Sequence, residues 1–328
     1  MKYRQLGRSG LQVSEIGLGT NNFGIHPGPT NYGSQMTPQA ARDVIDAALD
    51  FGVNLIDTAD VYSGGDSERY IGRALRGKRH KAVIATKFGG WWLSDKAGVG
   101  GSRQHIVTAV DRSLSRLRTD YIDLYQIHGL QLEDVDSVMN DLLPELERQR
   151  QAGRIRFIGV TELWGHDGSH QALLECLPSG QFDTAMIGYN LLNSCAEDRL
   201  FEICRTENVG VIIMFAIRRA MSDLARRRQT FDHLVEEGYL EGASLDNHDP
   251  LAWLVSKEVR SVMEAGYRFA IEPDVVGTVL TGTSKEQHLK QNLSAIAAGP
   301  LPKTLRSKIK SRYELSKDNA EESTIGAK

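Results

Sequence analysis

Apolar residues recur along this chain in two alternating rhythms: short unbroken runs, and longer stretches where they return every three or four positions. The short runs are Glu15–Leu18, Asn54–Asp57, Ala82–Thr86, Ile122–Ile127, Phe157–Val160, Thr184–Ile187, Val211–Phe215 and Val275–Leu280. They read as strands buried on both faces, the habit of parallel sheets. Between them the spacing predicts helices. Pro38–Asp50 carries Ala41, Val44, Ile45 and Ala48 on one stripe, with Thr37 as N-cap and Pro38 at the first helical position. Gln104–Arg118 repeats the stripe through Ile106, Val110, Leu114 and Leu117. Asp136–Gln151 and Ala196–Asn208 follow, and Ser284–Ala297 closes the series with Ser284 as its cap.

Eight strands, each followed by a helix, exceed what an open doubly wound sheet usually needs. The expected fold is therefore α/β, a closed (β/α)8 TIM barrel. No interior stretch reads as a linker, so one domain is expected over residues 1–317, followed by a polar tail at 318–328. Tyr3–Val13, turning at Gly7–Gly10, is expected to form a β-hairpin that plugs the bottom of the barrel. The long stretch from Arg218 to about Asn247 is expected to be a functional loop with some helix of its own, at the C-terminal face.

Four polar residues lie at or just past the ends of three of the apolar runs: Asp57, Tyr62, Lys87 and His128. Parallel strands would gather them at one mouth of the sheet. A free tyrosine has a pKa of about 10, too high for ready proton exchange at neutral pH. A neighbouring Lys87 ammonium favours the phenolate, and Asp57 would hold that lysine charged and in place. His128 would donate to a substrate oxygen and orient it. Nothing in the set is an obvious nucleophile or metal cage. It suits protonation of an alkoxide as hydride reaches the neighbouring carbon, and hydride must come from a cofactor.

Bulk properties narrow the setting. The chain has 328 residues, 41% of them apolar, and a formal net charge of −3, which gives no reason to expect nucleic acid. Cys176, Cys195 and Cys204 form no metal or redox spacing. His166 and His170 have the spacing of a helical metal pair but no evident third ligand, so they read as a solvated loop and no metal is expected. The first residues lack the apolar core of a signal peptide, and no apolar run approaches the roughly 20 residues that span a bilayer. A cytoplasmic protein with a small-molecule partner, neither nucleic acid nor membrane, is the expectation; oligomeric state is open. Gly17–Gly24 lacks the third glycine of a dinucleotide-fold turn.

The motifs Asp57–Tyr62, Thr86-Lys87 and Tyr125–His128, together with Gly153–Val160, Tyr189-Asn190, Gly282–Ser284 and Asn292, resemble the aldo-keto reductases. The resemblance runs from about Tyr3 to about Lys317. It implies a (β/α)8 barrel, a nicotinamide cofactor extended across the mouth, and Tyr62 as the acid. On the cofactor it implies contacts from Gly19, Thr20, Asn21, Asp57, Gly282, Thr283, Ser284, His288 and Asn292. Thr161 and Glu162 stand where the family has Ser-Asn on the nicotinamide carboxamide, and Met186 stands where it has glutamine. Met214 or Phe215 takes the place of the stacking ring, with Ile217, Arg218 and Arg219 following. Gly129 follows the catalytic histidine, so Trp91 or Trp92 is expected to refill that wall of the substrate pocket. NADP is the expected cofactor, with NAD use left open. Lys285, Arg218, Arg219 and Arg226–Arg228 are the candidates for a 2′-phosphate.

The function expected is an NAD(P)(H)-dependent oxidoreductase that interconverts a small carbonyl compound or sugar and its alcohol or lactone. Two alternatives use the same site: a cofactor-sensing regulatory subunit with weak catalysis, and a lyase or epimerase without net redox change.

Overall fold

The computed structural model describes residues 1–25, 36–89, 103–238, 240, 246 and 248–313. Two short strands, β1 (Tyr3–Gln5) and β2 (Gln12–Ser14), pair antiparallel as the expected hairpin. The next eight are β3 (Ile16–Gly19), β4 (Leu55–Asp57), β5 (Val83–Gly89), β6 (Ile122–Leu130), β7 (Ile155–Glu162), β8 (Thr184–Gly188), β9 (Gly210–Met214) and β10 (Val276–Gly282). Each is parallel to the next, and β10 pairs with β3 to close the barrel. The expected α/β TIM barrel is what the chain forms.

Two apolar cores hold it. The larger lies between the outer helices and the barrel wall; Ala41, Val44, Ile45 and Ala48 of helix Pro38–Asp50 enter it as the stripe predicts. Thr37 caps that helix, accepting the Ala40 N–H at 3.2 Å. The smaller core fills the barrel itself. There Leu55, Ala85, Leu124, Met186 and Ile212 meet Leu6, Leu11 and Val13 of the hairpin segment. Burying each of those three plug side chains contributes on the order of 2 kcal/mol. The hairpin thus closes one end of the barrel and leaves the C-terminal ends of the strands as the open mouth.

The structure moves several boundaries. Strands β5 and β6 run past the expected ends, so Lys87 and His128 lie within the ladder, with Lys87 opposite Gln126 and Gly89 opposite His128. Inward-pointing polar side chains broke the apolar run without breaking the strand. Phe215 falls outside β9 and adopts a left-handed backbone, φ +59°. The predicted helix Asp136–Gln151 widens into a π turn at Val138–Leu142, immediately before Pro144, which lacks an N–H and crowds the preceding turn. Ser284 does not cap the last predicted helix, which begins at Glu286; Thr283 Oγ1 accepts the Lys285 N–H instead. The long stretch after Arg218 does carry helices, Arg219–Ser222 and Leu224–Glu236. Trp91, Trp92 and the tail 318–328 lie outside the described residues.

Helix Asp66–Ala74, which follows the loop after β4, packs at Gly72 against the end of helix Arg103–Leu117. A Cβ at Gly72 would sit 2.5 Å from the Arg116 carbonyl oxygen and 2.6 Å from the Leu117 backbone. Backbone cannot yield as a side chain does, so Gly72→Ala should destabilise the fold by roughly 2 kcal/mol. Urea unfolding checks this; an unchanged midpoint would show that the two helices are not in such contact.

Candidate active site

Lys87 organises the mouth. It is 1% exposed, and its ammonium directs hydrogens to Asp57 Oδ1 at 2.7 Å, the Thr58 carbonyl at 2.8 Å and Tyr62 Oη at 3.4 Å. Its three N–H groups therefore each have an acceptor, and the lysine cannot rotate freely. Burial pulls the ammonium's pKa down, but the Asp57 carboxylate and Tyr62 more than offset it, and Lys87 stays above its ordinary value. Burial also pushes the Asp57 carboxyl up, against the pull of Lys87. Gln126 Nε2 reaches the second Asp57 oxygen at 3.5 Å. Because Tyr62 Oη accepts from Lys87, its own hydrogen can be directed to a substrate oxygen in the mouth.

Local sequence explains how Tyr62 gets there. Asp57 ends β4, and the chain then crosses to a short turn, Tyr62–Gly65, whose Ser63, Gly64 and Gly65 all have positive φ. That reversal folds the ring back over the strand ends. Hydroxyls pin the crossing: Thr20 Oγ1 donates to the Asp57 carbonyl at 2.8 Å, and Ser67 Oγ lies 2.7 Å from Thr20 Oγ1 and 2.8 Å from Thr58 Oγ1. The Asp60 N–H donates to the Lys87 carbonyl at 3.1 Å.

His128 meets Tyr62 edge-on, with ring centroids 5.8 Å apart. Burial, helped by the Lys87 charge, lowers its pKa to about 3, so the ring is neutral at physiological pH. Its Nδ1 is buried and finds no hydrogen-bond partner among the described residues. A neutral imidazole suits a donor or acceptor for a substrate oxygen better than a competing acid. The four expected catalytic residues are thus brought together as the motifs implied.

Behind the site lies a buried acidic cluster. Glu68, fully buried, accepts from Thr86 Oγ1 at 2.7 Å and pairs with Arg116 at 3.1 Å. Burial and the neighbouring Glu68 raise Asp60 to about 7, despite Arg116.

The expected cofactor residues divide into three groups. Gly19 and Asn21 are partly exposed at the end of β3, beside Gly282, whose Cβ would stand 3.6 Å from Asn21 Oδ1. Ser284 and His288 are exposed, and Met214 and Ile217 are half-buried. Gly19, Gly282 and Met214 end their strands at the mouth, whereas Ile217 packs on the outer core beside Gly266. A second group turns inward. Thr20 is committed to Asp57 and Ser67; Thr283 is buried; Asn292 donates to Thr281 Oγ1 at 2.7 Å; Met186 packs into the barrel core. Of the Arg219 side chain nothing is described.

The third group surrounds Glu162. Its carboxylate is 3% exposed; one oxygen accepts the Gly188 N–H at 2.6 Å, and the other lies 2.7 Å from His170 Nδ1. His170, read as part of a solvated loop, is instead 1% exposed. Burial alone would lower its pKa, yet Glu162 raises it to about 10, so the pair keeps its proton through the neutral range. Trp164 lies across Gly188, where a Cβ would come within 2.3 Å of the ring, and stacks on Phe215 at 5.5 Å. The Arg218 guanidinium covers both rings, 5.0 Å from Trp164 and 5.5 Å from Phe215. Phe215 remains 37% exposed just past the end of β9. Of the arginines in 226–228, Arg227 is buried against Asp249 and the Met221 carbonyl.

Sequence reasoning missed Gln126, Trp164 and His170. Gln126 was within reach: it stands two residues before His128 in the same strand and so shares its inward face.

Asp60 also yields a test. Its folded pKa, about 7, exceeds the ordinary carboxyl value, so deprotonation costs the folded state more than the unfolded one. Asp60 therefore reduces stability increasingly as pH rises from about 4 to beyond 7. Asp60→Asn should gain stability over wild type at pH 8 and keep only a smaller part of that gain at pH 5. Denaturant curves at both pH values decide it; a larger gain at pH 5 would reverse the assignment.

Comparison with known proteins adds the lineage. The model of the Aldo/keto reductase family matches residues 15–314. The chain is 28% identical over 302 residues to YqkF, an uncharacterized oxidoreductase of Bacillus subtilis, covering 91% of this chain and 92% of that one. It is 27% identical over 301 residues to L-galactose dehydrogenase of Arabidopsis thaliana, covering 90% and 88%. Among solved structures, the holo form of aldo-keto reductase AKR11C1 from Bacillus halodurans superposes with a TM-score of 0.69 at 28% identity, covering 95% and 96%.

Proposed function

The chain belongs to the Aldo/keto reductase family of oxidoreductases, and on that premise we propose that it moves a hydride between a nicotinamide dinucleotide and a small carbonyl compound or sugar. The observation that carries this reading is the Lys87 ammonium, held by Asp57 and aimed at the phenol of Tyr62. The bound dinucleotide supplies the hydride; everything else falls to the protein. At 3.4 Å and an effective dielectric near 20, the ammonium favours phenolate by about 5 kcal/mol before the Asp57 charge offsets part of it. Tyr62 can then release its proton to the substrate oxygen in reduction and recover it in oxidation. His128, neutral and next to Tyr62, orients that oxygen. Charge builds on the oxygen as hydride arrives, so fixed donors act where they matter most.

The nicotinamide end needs a different set of contacts from the family's usual Ser-Asn pair. Thr161 Oγ1 accepts the Gly129 N–H at 2.8 Å, which leaves its own hydrogen for the carboxamide oxygen. Glu162 is occupied by Gly188 and His170, and the exposed face of Phe215 supplies the apolar wall. NADP is the proposed cofactor, its 2′-phosphate meeting the exposed Ser284, Lys285 and His288 region before helix Glu286–Ala297. The relative named L-galactose dehydrogenase supports a place for sugars among the substrates. The occupied Glu162 is also the one feature favouring a cofactor-sensing protein with weak turnover.

Tyr62→Phe should lower kcat by about a thousandfold while dinucleotide binding, followed by fluorescence, stays near wild type. Lys87→Met should impair turnover comparably, because an unassisted phenol is a poor acid near neutral pH. Retention of most of the activity by Tyr62→Phe would mean that another group transfers the proton.

A panel of aldehydes and sugars, run in both directions with each cofactor and read by nicotinamide absorbance, tests the rest. The expected outcome is rapid turnover with a higher kcat/KM for NADP. A strong NAD preference would overturn the phosphate assignment, and tight binding with scarcely measurable turnover would favour the sensor.

A further inference from the structure

Outside the mouth, the outer surface between helices Asp66–Ala74 and Arg103–Leu117 holds a cavity of about 590 Å³. Its walls carry five arginines, Arg69, Arg73, Arg112, Arg116 and Arg118, and one acid, Asp111. That is a large local excess of positive charge in a chain whose net charge is −3. Three of the six charges are already matched within the protein. Arg69 pairs with Asp66, Arg116 with the buried Glu68, and Asp111 with Arg154. Arg73, Arg112 and Arg118 are exposed and make no ion pair among the described residues.

Arg118 is the informative member. It directly follows the last residue of helix Arg103–Leu117 and has φ +55°. The next N–H, of Thr119, returns to the Leu114 carbonyl at 3.2 Å, so the chain ends the helix by a tight reversal. Glycine is the residue such a position favours, since a side chain there strains the backbone. The arginine adds strain and shares the hollow with Arg112, with no ion-pair partner among the described residues. Nothing in the helix end requires its guanidinium, but an anion in the cavity would.

The hollow is open to solvent, so its arginines and not its volume select the ligand. Guanidinium forks match the oxygens of a phosphate two at a time and stay charged at any physiological pH. We propose that this cavity is a binding site for a small phosphate-bearing anion, held by Arg73, Arg112 and Arg118 against a wall formed by Arg116. The wall is fixed, because Arg116 Nη1 also donates to the Asp60 carbonyl at 3.2 Å and to Glu68 at 3.1 Å. The ligand therefore meets a rigid face on one side and exposed, movable arginines on the other.

Calorimetric titration with inorganic pyrophosphate, and separately with adenosine triphosphate, tests the site. The full chain is titrated without and with one equivalent of nicotinamide dinucleotide, so that binding at the mouth is recognised by its loss, and sodium chloride holds ionic strength constant. The wild type should bind at one site, and Arg118→Gly and Arg112→Ala should each weaken binding about tenfold. Arg118→Gly should keep or raise the Tm, because glycine relieves the positive φ; this separates lost binding from lost folding. Equal affinity for both probes assigns the phosphate group itself, and tighter binding of the triphosphate assigns a nucleotide. Unchanged affinity in both variants, no binding of either probe at millimolar concentration, or a preference for a hexaglutamate peptide over pyrophosphate would overturn the proposal.

Discussion

The contact between Lys87 and Asp57 sets the terms for everything around it. Taking either charge out of water alone would cost several kcal/mol, and only close pairing with further hydrogen bonds makes the burial tolerable. The barrel meets that requirement by aligning strand ends. Asp57 is the last residue of β4, Lys87 stands inside β5, and Gln126 lies opposite Lys87 on β6. Asp57 lies opposite Ala85, two residues before Lys87 on the same inward face, so neighbouring parallel strands bring an acid, an ammonium and an amide together without any loop having to reach. Thr58 then adds a carbonyl, so the ammonium's remaining hydrogens point to fixed acceptors. The phenol of Tyr62 joins a charge already in place, carried there by a sharp reversal that the Thr20, Thr58 and Ser67 hydroxyls pin.

Much of this was legible in the sequence because burial imposes it. Parallel strands covered on both faces must be apolar almost throughout, so eight runs stood out, and the polar residues at their ends stood out against them. The same logic misplaced the ends of β5 and β6. Lys87 and His128 interrupt the apolar pattern, yet the ladder continues through them because their side chains enter the barrel and not solvent. Helix Asp66–Ala74 escaped notice for a related reason. It buries Ser67, Glu68, Gly72 and Tyr70 with few aliphatics, so its packed face resembles a polar stretch. Helix Lys303–Arg312 buries little beyond Ile309 and gives almost no stripe.

Pairs distant in sequence were the least readable. Glu162 and His170 are eight positions apart across a loop, and nothing in their spacing announces an ion pair. His170 adopts φ +65°, an uncommon backbone for a residue other than glycine, and that conformation places its ring against Glu162. Phe215 likewise leaves its strand in a left-handed turn, so alternation along β9 could not say which way its ring faced.

These two irregular residues answer a single physical problem. A carboxylate at the end of β7 is far harder to bury than a neutral amide, and without a partner it would draw water into the mouth. His170 supplies the compensating proton, Gly188 the second donor, and Trp164 covers both by lying flat on the glycine. The stack continues outward through Phe215 and Arg218. Charge at Glu162 is thereby turned into a rigid wall, closed to solvent on its inner side and aromatic on its outer side. On the proposed reading, that wall takes over the orientation of the nicotinamide ring by shape and stacking. The hydrogen bond to the carboxamide is then left to Thr161, whose hydroxyl is already oriented by Gly129. A site that replaces a polar clamp with an apolar wall keeps the hydride donor in place only while the ion pair behind the wall stays intact. On that reading, the packing at His170 and the geometry at Tyr62 act on the same nicotinamide ring.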